Sequence, residues 1–208
     1  MLKLLTSVLL TMVLTSAQAT TANSISLLHG DGYATGDNTR NTLRFDTTTV
    51  GEYGLIYGRA DMGSFDDKNT AVNTRVIGHL GSGWHLAQQF QNTEKVSASS
   101  TGIGYDLLRT KYRVGLDVNF MSSNFYGDAT HIFMFGTYNI TDKLSLDGFA
   151  EYIMPLNNKD NILFTQPSIM YNIYQNTKVG MEYQIYNNKY GITGLNECVP
   201  QAKLKVEF

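Results

Sequence analysis

Ionisable and aromatic side chains recur at alternate positions along much of this 208-residue chain. Arg44 and Asp46 are two residues apart, as are the members of the series Tyr57, Arg59 and Asp61. The same step relates His131, Phe133 and Phe135, and again Asp147, Phe149 and Glu151. A step of four separates Arg75 from His79, His85 from Gln89, Arg113 from Asp117, and Glu182 from Tyr186. Lys203, Lys205 and Glu207 end the pattern. Even steps put side chains on one face of an extended strand. Cations and carboxylates in near balance, interleaved with flat rings, suit weak and reversible binding of a neutral polar solute, because stacking one nucleobase on an aromatic ring contributes about 1–3 kcal/mol. The same groups also suit a second role, pairing with one another to fill a narrow interior.

Covalent chemistry has little support. His29, His79, His85 and His131 are scattered, with no His-Glu-x-x-His and no Cys cluster, so neither a metal nor another cofactor is expected. Gly30-Asp31-Gly32 with Gly36 has the wrong spacing for a phosphate loop and leads into a strand. Asp147 and Glu151 share a face, but pairing with inward cations accounts for them better than acid/base work on a glycoside. Cys198 is the single cysteine, so no internal disulfide forms, and it is expected to be a small, half-buried residue. A formal net charge of −2 provides no basic footprint for a nucleic-acid polymer.

The elements that must position these groups are strands. Twelve stretches of strand character run over 23–30, 40–48, 52–62, 70–80, 83–92, 97–108, 110–121, 129–140, 143–153, 161–173, 177–187 and 198–208. In most of them an apolar face opposes the polar one. Leu43 and Phe45 flank Arg44; Tyr112, Val114, Leu116, Val118 and Phe120 alternate with Arg113, Asp117 and Asn119; Leu204, Val206 and Phe208 alternate with Lys203, Lys205 and Glu207. Links after even strands are tight, and those after odd strands are mostly longer and polar. That is the pattern of an antiparallel transmembrane barrel with short periplasmic turns and long external loops. A lipid-facing Arg or Lys near the midplane costs about 2–4 kcal/mol, so charged residues mark the lumen side. By this rule the lumen receives Arg44, Tyr57, Arg59, Asp61, Arg75, His85, Arg113, Asp117, His131, Phe133, Phe135, Asp147, Phe149, Glu151, Glu182 and Tyr186. Pro167 lacks a ladder donor and predicts a bulge or a local break in the tenth strand, flanked by lumen-facing Gln166 and Ser168.

Beyond the N-terminus no run of about twenty apolar residues exists, so a helical membrane span is not expected. Lys3, the uncharged stretch Leu4 to Ser16, and Ala17-Gln18-Ala19 read as a cleaved secretory signal over 1–19, leaving 20–208 as one outer-membrane barrel.

Leu27-Leu28-His29-Gly30, Thr42-Leu43-Arg44-Phe45, Gly102-Ile103-Gly104-Tyr105-Asp106-Leu107, Asn188-Lys189-Tyr190-Gly191-Ile192, Asn196-Glu197, Val199-Pro200-Gln201 and the closing Leu204-Lys205-Val206-Glu207-Phe208 occur in that order across the chain. Together they resemble the nucleoside-specific channel-forming porins, the Tsx-like and OmpK-like proteins. The resemblance implies a monomeric twelve-stranded barrel in outer-membrane lipid that passes nucleosides by facilitated diffusion. It also implies long loops exposed to bacteriophages and colicins. Two other classes remain open: a closed structural or adhesive barrel whose charges seal the lumen, and a lipid-modifying barrel enzyme, which would need a Ser-His pair on the lipid side near the loops.

Overall fold

The computed structural model describes residues 20–31, 39–63, 70–93, 96–157 and 159–208; the expected signal over 1–19 lies outside them. The strand segments among the described residues are β1 (Thr20–Asp31), β2 (Thr39–Gly51), β3 (Gly54–Met62), β4 (Thr70–Gly81), β5 (Trp84–Asn92), β6 (Ser97–Leu108), β7 (Tyr112–Ser123), β8 (Gly127–Asn139), β9 (Leu144–Pro155), β10 (Ile162–Thr165), β11 (Ser168–Tyr174), β12 (Thr177–Asn187) and β13 (Glu197–Glu207). Each segment pairs antiparallel with its neighbours in the wall. The ring closes where β1 meets β13, with Ile25 opposite Val206 and Leu27 opposite Leu204. Closure removes the unpaired edge that an open sheet would present, and with it the unsatisfied amides that hydrocarbon cannot solvate.

β10 and β11 together occupy one place in the wall, since both lie between β9 and β12, so thirteen segments build a twelve-strand barrel. The gap between them is Gln166-Pro167, where the sequence predicts a bulge or a local break, and the structure shows a break. The neighbours still hold it: Gln166 N–H donates to the Phe149 carbonyl at 2.9 Å, and Tyr183 N–H donates to the Pro167 carbonyl at 2.9 Å.

Registers put every second side chain outside, and the outer wall is strongly apolar. Leu27, Trp84, Val118 and Phe120 are each half exposed or more (50%, 50%, 50% and 57%), and Ile103, Leu116 and Met134 lie close behind. A water-soluble chain rarely exposes so large a contiguous greasy surface, whereas hydrocarbon matches it. Aromatic rings gather at the end that carries the tight turns. Trp84 meets Tyr105 edge-on at 5.3 Å, and Tyr53, Tyr138, Tyr174 and Phe208 are also exposed. Such a girdle marks a membrane interface, where one side of a ring is greasy and the other wet. Cys198 is a correction: it sits on the exposed outer wall, because β13 places it between the inward Glu197 and Val199.

Inside, one apolar cluster fills part of the long-loop end. Val96, Ala98, Met121, Tyr126, Ala129, Ile153 and Ile162 are buried there, with Phe125 packed against them. Lys159 Nζ donates to the Phe125 carbonyl at 2.6 Å, tying the β7–β8 link to the loop before β10. The β6–β10 side of the mouth is therefore packed.

Candidate functional site

The lumen is the site, and the backbone register builds it. Arg44 pairs with Asp61, Asp46 with Arg59, and Tyr57 with Arg75, so the strand alternation brings all six side chains to the inner wall. Small residues on the same face make space for larger ones. A methyl group on Gly104 would overlap the His85 and Asp117 side chains, and one on Gly115 would overlap the Phe135 ring and the Asp106 carboxylate.

Three groups of charges span the interior. In the first, Arg44 is fully buried and grips two carboxylates: Nε and Nη2 donate to Asp61 at 2.7 and 3.0 Å, and Nη1 donates to both oxygens of Glu182 at 2.8 Å. Lys203 Nζ donates to the same Glu182 at 2.7 Å. In the second, Arg59 Nε and the Tyr57 hydroxyl both donate to Asp46 Oδ1, at 2.8 and 2.6 Å. Arg59 Nη1 then crosses the lumen to donate to Gln166 Oε1 at 3.0 Å. In the third, Arg75 donates to Asp117, which also lies 2.8 Å from His85 Nε2, and Arg113 donates to Asp106. Gln89 donates to Glu151 at 3.1 Å, and Ser168 to Asp147 at 2.9 Å. Partners of opposite sign and hydrogen-bonding neighbours are what buried charges require.

Aromatic rings form a ladder up one side. Phe135 lies 5.8 Å from Phe133, Phe133 stacks on Phe149 at 5.7 Å, Phe149 meets Phe164 edge-on at 5.3 Å, and Phe164 stacks on Tyr186 at 4.2 Å. These spacings are those of mutually attractive ring pairs. The ladder climbs from the middle of β8 to the upper end of β12, where Lys189 Nζ lies 4.7 Å above Tyr186. Arg75 covers the lower rungs, its guanidinium carbon 4.6 Å from the Phe133 centroid and 4.3 Å from that of Phe135. Arg59 stands 5.6 Å from Phe149.

All sixteen residues expected in the lumen face it, from Arg44 to Tyr186, and so do Gln166 and Ser168. What the structure alters is their availability. Phe133 is 8% exposed and Phe135 lies under Arg75, so the half-buried Phe149, Phe164 and Tyr186 offer the accessible rings. Phe164 was missed because the break at Pro167 obscured the tenth strand, although an inward Gln166 two residues on implies an inward Phe164. Asp106 was missed too; Gly102 and Gly104, alternating with Ile103 and Tyr105, carry the signal. His131 Nδ1 lies 3.3 Å from Ser100 Oγ, a Ser–His contact buried in the lumen and not on the lipid side. Among the described residues no group of three His, Cys, Asp or Glu could hold a metal ion.

No protein-family model matches the chain, and no curated protein matches it. Solved structures do. The NanC porin in its rhombohedral crystal form superposes with a TM-score of 0.63 at 10% identity, over 88% of this chain and 98% of that one. The KdgM porin gives 0.59 at 10% identity, over 89% of this chain and 99% of that one. The KdgM porin in complex with disordered oligogalacturonate gives 0.58 at the same identity and coverage. Likeness at such identity is likeness of fold. The chain has the closed twelve-strand fold of outer-membrane porins, and its apolar belt and aromatic girdle locate it in that membrane.

Proposed function

We propose that this barrel is a channel for passive diffusion of small, uncharged polar solutes with a flat face, nucleosides in particular. The ring ladder is the observation that carries the reading. Tyr186, Phe164 and Phe149 supply successive stacking surfaces from the mouth to the waist, with Arg59 and Gln166 beside Phe149 for a solute's hydrogen-bonding edge. One stacked ring contributes about 1–3 kcal/mol, enough to favour a solute and weak enough to release it.

Charge argues for a neutral solute. An oligogalacturonate, the molecule in one KdgM complex, carries a carboxylate on each sugar and would call for uncommitted cations. Here Arg44, Arg59, Arg75 and Arg113 already hold carboxylates. A second reading, a sealed structural barrel, draws support from the same pairing, since Arg44 and His131 are fully buried. Proteoliposome swelling separates the two. A channel lets nucleosides in faster than protein-free vesicles do, whereas equal rates with a folded barrel in the bilayer favour the sealed one.

A further inference from the structure

We propose that Arg59 is the bar that closes the waist at rest and the residue that sets which solutes pass. This rests on the channel reading. β3 and β9 stand six places apart around a ring of twelve whichever way the wall is counted, so they are diametrically opposed. Arg59 nevertheless reaches from β3 to within 5.6 Å of the Phe149 ring on β9, and its Nη1 donates to Gln166 beside it. Arg59 thus meets the side chains of the opposite wall part-way across, and together they bridge the lumen.

Other cations cross or line the interior, but each is either held more tightly than Arg59 or confined to the wall. Arg44 is 0% exposed and holds two carboxylates, so turning it would break two ion pairs at once. Arg75 is 7% exposed and holds Asp117. Arg113 pairs with Asp106 on the adjoining strand, along the wall and not across it. Arg59 is 20% exposed, and its charged partner Asp46 is on neighbouring β2. Its contacts across the lumen, by contrast, are to neutral groups, an amide and a phenyl ring. Withdrawing the guanidinium from Gln166 and Phe149 therefore leaves the ion pair intact. The Tyr57 ring on its own strand, 5.7 Å from the guanidinium carbon, provides a surface to rest against.

A solute with a flat ring and a hydrogen-bonding edge replaces what the withdrawal gives up. Its ring takes the guanidinium's place on Phe149, and its edge satisfies Gln166. A ringless polyol of similar size offers the second contact without the first, and a small inorganic ion offers neither. The bar accordingly favours ring-bearing solutes, because only a difference in affinity between two states can shift their populations.

The test compares wild type, Arg59→Ala, Arg59→Gln and Phe149→Ala, each shown to be folded by heat-modifiable gel mobility. Arg59→Gln keeps a donor for Asp46, and Phe149→Ala leaves the ion pair untouched while removing the perch. Planar-bilayer conductance in potassium chloride and vesicle swelling with uridine and with sorbitol are the readouts. Wild type is expected to pass uridine faster than sorbitol. Arg59→Ala and Arg59→Gln are expected to raise the resting ion conductance severalfold and bring the two swelling rates together; Phe149→Ala is expected to raise the conductance as well. Folded Arg59 variants with wild-type conductance and an unchanged uridine preference overturn the role of Arg59 and leave the channel standing. No current and no swelling from any of the four proteins overturns the channel itself.

Discussion

Arg44 and Glu182 lie 138 residues apart in sequence, on strands separated by β1 and β13, and meet at 2.8 Å with both side chains almost free of water. Asp61 on one side and Lys203 on the other extend the contact into a four-residue chain. A link of this kind joins β2, β3, β12 and β13 across the closure of the barrel. It acts next to the seam where β1 meets β13 and the ring closes.

Arg44→Met should therefore destabilise the barrel by about 3–5 kcal/mol, because it leaves the buried Glu182 and the half-buried Asp61 without their shared cation. Urea unfolding from lipid vesicles, followed by the fluorescence of Trp84, the chain's single tryptophan, measures it. A change within experimental error would mean that these carboxylates are solvated.

The assignment of faces predicts an asymmetry along β7. Val118 is 50% exposed on the outer wall, so Val118→Arg should cost about 2–4 kcal/mol of folding free energy in a bilayer. Arg109→Lys, in the short turn outside the strands, serves as a neutral reference in the same assay.

Gly104→Ala should disturb the lumen where Gly136→Ala does not. The first methyl group meets the His85–Asp117 pair, and overpacking of this kind costs about 1–3 kcal/mol. The second points outward with its nearest neighbour, the Arg113 carbonyl, at 3.3 Å. Parallel unfolding curves for the two variants test the difference.

The accessible rungs of the ladder should matter to solute binding, and the covered ones less. Phe164→Ala should weaken nucleoside affinity by about 1–3 kcal/mol, roughly 5- to 150-fold. Phe133→Ala should have a smaller effect, since Arg75 occupies the ring face that points into the lumen. The concentration dependence of current block in the two variants decides it.

Much of the fold is legible in the sequence because a strand in a membrane wall has a period of two and a severe penalty for a charge on the wrong side. Arg113 and Asp117 among Val114, Leu116 and Val118 leave β7 one solution, and Pro167 announces the gap between β10 and β11. The site is less legible. Alternation says that Arg59 and Phe149 both point inward, but not that they lie at one height on opposed strands; the registers of every strand between them fix that. Likewise, nothing local to Phe133 indicates that Arg75, on another strand, lies over its ring.

Current through a planar bilayer containing the purified barrel tests the central claim most directly. A small steady current that falls as nucleoside is added, and falls less with a ringless polyol at equal concentration, is the predicted result. A folded, inserted barrel that carries no current at any nucleoside concentration would contradict it.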